Sequence, residues 1–416
     1  VYAADANFGI LPRDVALTEA LAQTKAHHGY PQEFRACTAK NSGDRVFEIA
    51  EILHAAGMHK GATLSLQSLD AHTLQAVKRT NIKMDNFAGW MRRYREAGIS
   101  TYTELILGLP GETYESFTAG IDTLLEAGQH EHVNVYLLQL LHNSEMADPA
   151  YMAKHGLVTR RMPQLLQHST PGSDGIVEYH DIVVETATMP LEDWKRTYLF
   201  AWAVQTFHCL GLLRCVAMYL HTVHGVAYSA FYEALLTWAR EHSETRIGQQ
   251  YAAAEAVMER ALAGGSWDVL VPDAGPIIWP SEEAAFLALV RELLTMYIEI
   301  DDLLQGWEGG IGQPIVDMLR YQQAMVVAPD DGRATDAETG DWLPASVKRV
   351  SLHYNWQAWF QELLAGAPVP LEAGEYVIDI PQHAFASFEQ YAREICWYGR
   401  KSGAFLHRDV EERQRV

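Results

Sequence analysis

"ELILGLPGET" (104–113) decides how this chain folds. The run around Leu105, Ile106 and Leu107 reads as a strand. It breaks at Gly108-Leu109-Pro110-Gly111 and ends on Glu112 and Thr113, ahead of helical sequence from Tyr114. A strand that feeds a helix through a glycine turn is the unit of a parallel sheet with helical crossovers. A phosphate loop would place Lys-Ser or Lys-Thr behind its last glycine. Here Glu112 follows Gly111, and a carboxylate repels phosphate. The turn suits a ligand bringing hydrogen-bond donors or positive charge. Glu112 reads equally as an acid in a helix's first turn, where it favours the dipole.

The same unit repeats on both sides. Strands are expected at 1–5, 34–39, 62–68, 100–109 and 132–141. Helices are expected at 13–28, 45–56, 70–79, 85–97 and 114–127, with Asp70 as an N-cap and Gly57, Gly98 and Gly128 as stops. In such sheets ligands sit at the carboxyl ends of the strands. Those ends read Asp5-Ala6-Asn7-Phe8-Gly9, Thr38-Ala39-Lys40-Asn41, Ser65-Leu66-Gln67-Ser68, Gly108 to Glu112, and His142-Asn143-Ser144. One polar end is ordinary turn chemistry. Five in register point to one polar, ligand-binding rim.

Residues 145–190 read as irregular, with a loop at 170–175 and a β-like stretch at 176–186. From Pro190 the sequence turns aromatic and helical, over 191–240, 246–263 and 281–306. A polar loop is expected at 328–344, a helix or strand at 351–364 and a strand at 376–380. The expected division is therefore 1–150, a connecting 151–190, and 191–416.

Of the 416 residues, 48% are apolar and 20% charged, enough for a sizeable core. The net charge of -21 is spread over both halves, which leaves no basic face for nucleic acid or an anionic membrane. Cys37, Cys209, Cys215 and Cys396 lack disulfide or zinc spacing, which suits a reducing, cytoplasmic setting. No signal peptide is visible. "TYLFAWAVQTFHCLGLL" (197–213) lacks charges, but it is short for a span and contains Gln205 and His208; a buried helix is expected. The chain opens on Val1 inside an apolar run, and the expectation is a piece of something longer.

"DANFG" (5–9), "LSLQSLDAHTLQAVKR" (64–79) and "ELILGLPGETYESF" (104–117) resemble the radical S-adenosylmethionine (SAM) enzymes. "HNSEMADPAY" (142–151) and "VVETATMPLEDW" (183–194) resemble their cobalamin-binding branch. The resemblance covers about the first 195 residues. It implies an α/β fold, a partial (β/α)6 TIM-like barrel lacking its first strand, followed by a mainly helical C-terminal region. It implies SAM, a 4Fe–4S cluster and cobalamin as cofactors. Three thiolates of a CxxxCxxC loop hold such a cluster, and this chain has no such loop; that loop, the first strand and the cobalamin domain are expected upstream, with no metal ligand here. Asp5 and Asn7 match the position facing the methionine amine, and Ser65, Gln67 and Ser68 the position meeting ribose hydroxyls. Gly108 and Gly111 would let backbone approach the adenine. Thr38, Arg79, Glu104, Pro110 and Glu112 complete the implied cofactor-binding set. Glu112 lies one residue further from Gly108 than the family's usual acid, as in methylthiotransferase-like members.

The implied activity is reductive cleavage of SAM to a 5′-deoxyadenosyl radical, hydrogen abstraction, and methyl transfer to an unactivated carbon. The implied partners are a small-molecule or peptide substrate and a flavodoxin or ferredoxin, with no nucleic acid and no membrane. Two rivals stand beside it: a methylthiotransferase-like enzyme without cobalamin, and a barrel without its cluster that serves as a scaffold. Other features have plain readings. Asp5-Ala6-Asn7 fits an Asx turn, Arg79 a solvated helix end, Cys209 and Cys215 core thiols. His221 and His224 lack a third ligand, and Glu299, Asp301 and Asp302 fit a solvated helix end. The aromatic residues from 194 to 238 fit core packing, with a cobalamin or substrate pocket as the alternative.

Overall fold

The computed structural model describes residues 1–5, 7–38, 43–58, 61–81, 84–164, 166–171, 176–306, 313–329, 347–400, 402–408 and 410–414. Ala39, Lys40 and Asn41, most of the 170–175 loop and most of the 328–344 loop lie outside them.

The first half follows the expected alternation. Helix α1 (Arg13–His28) ends on Gly29 at φ 74, and α2 spans Gly43–Ala55. Strand β1 (Ala62–Thr63) leads to α3 (Ala71–Ala76), where Asp70 Oδ2 accepts from the Thr73 amide at 2.6 Å. After α4 (Met84–Glu96) come β2 (Thr101–Leu107), α5 (Tyr114–Glu126) and β3 (Val133–Leu137). The order β1-β2-β3 is parallel throughout, Ala62 opposite Thr101 and Glu104 opposite Asn134. The mixed α/β class is as expected.

The sheet is shorter than the sequence suggests, and among the described residues no closed barrel forms. Two of the five expected strands are reduced to isolated parallel bridges, Tyr2 to Arg35 and Phe8 to Thr38. The expected strand 62–68 is cut short because Gln67 turns left-handed at φ 68, a strained conformation for a non-glycine residue. Its backbone still bridges Leu105, accepting from the Ile106 amide at 2.8 Å.

Within 145–190 the described residues form more regular structure than expected, and the β-like stretch expected at 176–186 holds a strand. Asp148 caps α6 (Pro149–His155), which Gly156 stops at φ 60. Strands β4 (Val158–Pro163) and β5 (Tyr179–Glu185) then form an antiparallel hairpin. Its second strand continues the sheet past β3: the Leu140 amide donates to Asp181 O and the Val183 amide to Leu138 O.

The C-terminal half is mainly helical, as expected. Helix α7 (Leu191–Ala203) runs into a π segment, Val204–Cys209, and then bends by 96° into α8 (Arg214–His224). No single described helix is long and apolar enough to cross a membrane. Helices α9 (Tyr228–Glu241) and α10 (Arg246–Leu262) precede a ribbon of β6 (Val269–Leu270) and β7 (Ile278–Trp279). Next come α11 (Ser281–Leu289), α12 (Leu293–Gln305) and α13 (Gln313–Met325). An antiparallel sheet of β8 (Val347–Tyr354), β9 (Ala373–Pro381) and β10 (Glu411–Gln414) closes the chain, with α14 (Trp356–Ala365) between its first two strands.

One apolar core joins the halves. Phe117, Ile121 and Leu124 recur at helical spacing on the face of α5 that packs on α7 and α9. Burying such side chains contributes about 2 kcal/mol each. Polar ties flank them: Tyr114 donates to Glu233 at 2.7 Å, and the Ser229 amide to Asp122 at 2.7 Å.

Candidate functional site

Two cavities open at the sheet. The first, about 460 Å³, lies where the outer bridged strands part from β1; residues 36–38 line it from one side and residues 61–63 from the other. Thr38, Ser65 and Glu104 line it, together with Tyr102 and Tyr136. Ser65 Oγ donates to Glu104 Oε2. Strand alternation explains the grouping: Tyr102 and Glu104 belong to a parallel strand whose intervening residues, Thr101, Thr103 and Leu105, are buried.

The second cavity, about 340 Å³, lies between β3, the hairpin and the helices after residue 190. Its wall combines aromatic faces (Tyr198, Trp202, Trp267, Trp279) with amides from Gln139, Gln164, Gln167 and Gln205. That mixture suits a partly apolar ligand with neutral polar groups. Glu282 also lines it. Arg400, buried behind, donates to Glu282 at 2.8 Å, Glu283 at 2.7 Å and Gln205 Oε1 at 3.2 Å. Burial pushes Glu283 up, but His168 at 2.6 Å and Arg400 more than offset it and hold its carboxyl below the usual range.

The glycine turn is built differently from the expectation. Glu112 is 1% exposed and lines neither cavity. Its Oε1 accepts from Ser68 Oγ at 3.0 Å and Ser116 Oγ at 3.1 Å, while Oε2 has no partner. Burial pushes its pKa up to about 7, against the pull of both serines. Gly108 sits at φ 99, where a Cβ would lie 2.9 Å from Val183 O; at Gly111, φ 96, a Cβ would lie 3.2 Å from Thr73 Cα. The room beside both glycines is thus taken by the protein's own β5 and α3. Pro110 is buried in the same turn.

The remaining expected residues stand apart. The Asn7 amide donates to Asp5 Oδ1 at 2.8 Å in an exposed Asx turn. Gln67 shapes backbone, and Arg79 is exposed beyond α3. Sequence reasoning missed Tyr102, Tyr136 and Arg400. Tyr136 left a signal: His132, Asn134 and Tyr136 put polar atoms at every second position of a strand in a parallel sheet, where apolar runs are the rule. Arg400 left none.

No family model matches the chain. It is 33% identical over 376 residues to the cobalamin-dependent radical SAM methyltransferase TokK of Streptomyces tokunonensis, covering 86% of this chain and 53% of that protein. It is 35% identical over 364 residues to the 2-(S-pantetheinyl)-carbapenam-3-carboxylate methyltransferase of Streptantibioticus cattleyicolor, covering 82% of this chain and 53% of that one. Its homologues are cobalamin-dependent radical SAM methyltransferases. The chain spans about half the length of these curated relatives. Among solved structures, the radical SAM methyltransferase TsrM of Kitasatospora setae, with tryptophan and a SAM analogue bound, matches at 16% identity and a TM-score of 0.32, over 49% of this chain and 42% of that one.

Of the implied cofactors, the adenosyl group fits residues present here: a roomy cavity edged by Thr38, Ser65 and Glu104 offers the donors and acceptors that ribose hydroxyls need. The cluster does not fit. Among the described residues no group of His, Cys, Asp and Glu could hold a metal, and three of the four cysteines are buried, burial pushing the Cys215 thiol up to about 12.

Proposed function

We propose that this chain is the SAM- and substrate-holding part of a cobalamin-dependent radical SAM methyltransferase that methylates an unactivated carbon of a small molecule. The reading rests on the identity to such enzymes along more than four-fifths of the chain. The two adjoining cavities support it. The one edged by Ser65 and Glu104 holds the adenosyl group, and the aromatic, amide-lined one holds the substrate. Two equivalents of SAM would be used: one gives up its methyl group and leaves as S-adenosylhomocysteine, and the other, taking one electron from the reductant, is cleaved to methionine and the radical that takes a hydrogen atom from the substrate.

This chain's own residues bind and orient. Glu104 and Ser65 receive the ribose, with Glu104 as the acceptor and Ser65 free to exchange its bond to Glu104 for one to a hydroxyl. Trp202, Trp267 and Trp279 keep water from the substrate's apolar part. Gln139, Gln164 and Gln167 meet its neutral polar groups. A pantetheinyl arm, which carries amides, has that chemistry. A flavodoxin or ferredoxin is the proposed reductant, and the sheet with its outer bridged strands the proposed part-barrel.

The test is direct. S-adenosylhomocysteine is titrated calorimetrically into the chain, its S65A and E104Q variants. Both substitutions are expected to weaken binding about tenfold, as loss of one hydrogen bond to a polar ligand does. Unchanged affinity in both would remove the cofactor reading of that cavity.

A further inference from the structure

Tyr136 lines both cavities. It lies on β3 opposite Ile106, between neighbours that are more buried than it is, yet 49% of its side-chain-bearing surface is open. Although β3 is the last strand of the three-stranded parallel sheet, a large aromatic residue on the face of such a sheet is normally covered. This one is bare because it faces open space on two sides.

Its orientation is fixed from within the strand. His132, Asn134 and Tyr136 occupy alternate positions, so their side chains stand in a file on one face. His132 Nε2 lies 3.0 Å from Asn134 Oδ1, and Asn134 Nδ2 donates to the Tyr136 hydroxyl at 3.2 Å. The root of the file is buried, with His132 2% exposed and its Nδ1 3.4 Å from the Arg400 carbonyl. Glu104, on the cofactor side, and Arg400, behind the substrate side, both act electrostatically on the phenol; burial and Glu104 push its pKa up. Accepting from Asn134, the hydroxyl keeps its own proton, which no described residue receives.

We propose that Tyr136 is the partition between the cofactor cavity and the substrate cavity, a positioning residue whose ring separates the two ligands and whose hydroxyl donates to the ligand at their junction. This rests on the reading of the two cavities given above. In the bound state the ring sets how near the adenosyl 5′ carbon lies to the substrate carbon, and so which hydrogen is within reach. A hole in the partition lets the radical be quenched without product.

The experiment uses the complete methyltransferase with a chemical reductant, SAM and the pantetheinyl carbapenam as substrate probe, and compares wild type, Y136F and Y136A. The readout is methylated product per 5′-deoxyadenosine. Y136F keeps the ring but gives up the donated hydrogen bond, so it is expected to weaken ligand binding several-fold while the ratio stays within about twofold of wild type; in Y136A the ratio itself is expected to fall at least fivefold while 5′-deoxyadenosine still forms. An unchanged ratio in Y136A overturns the proposal. Failure of the wild type to make 5′-deoxyadenosine counts against the cofactor reading, and failure to methylate the probe counts against the substrate. In either event the Tyr136 ring resonance decides, assigned in this chain with labelled tyrosine by its loss in Y136F. S-adenosylhomocysteine is expected to shift it, and a resonance that stays in place overturns the partition.

Discussion

Glu112 shows what a single buried carboxyl does to a turn that sequence reads as open. Its folded pKa of about 7 lies above the ordinary 4.5 because the side chain is buried and one oxygen has no partner. Between those values the folded state binds more protons than the unfolded state, so stability falls as pH rises from about 4.5 to 7 and is level above that. The full effect is roughly 3–4 kcal/mol, of which roughly 2–3 kcal/mol falls between pH 5 and pH 8. Urea unfolding at pH 5 and pH 8 is expected to show that loss in the wild type, and E112Q is expected to lack it. The same slope in both proteins would mean that another group carries the pH dependence. Gly108 is the companion case. G108A forces a Cβ to 2.9 Å from Val183 O at φ 99, and is expected to cost roughly 2–4 kcal/mol in the same assay. A small cost would mean that β5 moves aside easily. The sequence made both residues candidates for a ligand; what it hid was that β5 and α3 already fill the space beside the turn.

At the level of elements, helices were legible and sheet edges were not. The Asp70 cap, the Gly57, Gly98 and Gly128 stops and the apolar face of α5 are local signals, and each lies where the pattern places it. Pairing is not local. Nothing in "LSLQS" announces that Gln67 leaves the strand, and Arg160, Arg161 and Pro163 disguised a hairpin strand as loop. The wall of the substrate cavity depends on a longer-range feature still. Arg400 arrives from the C-terminal segment, more than a hundred residues after Glu282 and Glu283, and pairs with both. Removing one partner of a buried ion pair leaves charge uncompensated and costs about 3–5 kcal/mol. R400M is therefore expected to lower stability by that order, and the R400M variant carrying E282Q and E283Q to recover at least half. If the triple variant is no more stable than R400M, packing of the long side chain, not its charge, is what matters there.

Across the whole molecule the core is uneven, and the unevenness coincides with the proposed cofactor cavity. The main cluster runs from Leu66 to Val410 and holds β2, β3, α5 and the helices after residue 190. The described part of 1–58 leans on two small clusters, one of Phe8, Phe34, Ile49, Leu53 and Met58 and one in which Phe47 and Ala50 meet Ala62, Tyr94 and Ile99, and an open cavity lies between it and β1. Few buried contacts mean low-cost local opening. Amides of α2 and residues 34–38 are therefore expected to exchange with deuterium faster by at least tenfold than those of β2, β3 and α5. A ligand that binds only the closed form stabilises it in proportion to its saturation. S-adenosylhomocysteine is expected to slow exchange in α2 and around Thr38, whose residues share the cavity with Ser65 and Glu104, and to leave α9 and α10 unchanged. Uniform exchange through both regions would show that the satellite core is as firm as the main one. Protection at α9 and α10 without protection at α2 would place the adenosyl ligand in the helical half, and the strand-end cavity would then hold something else.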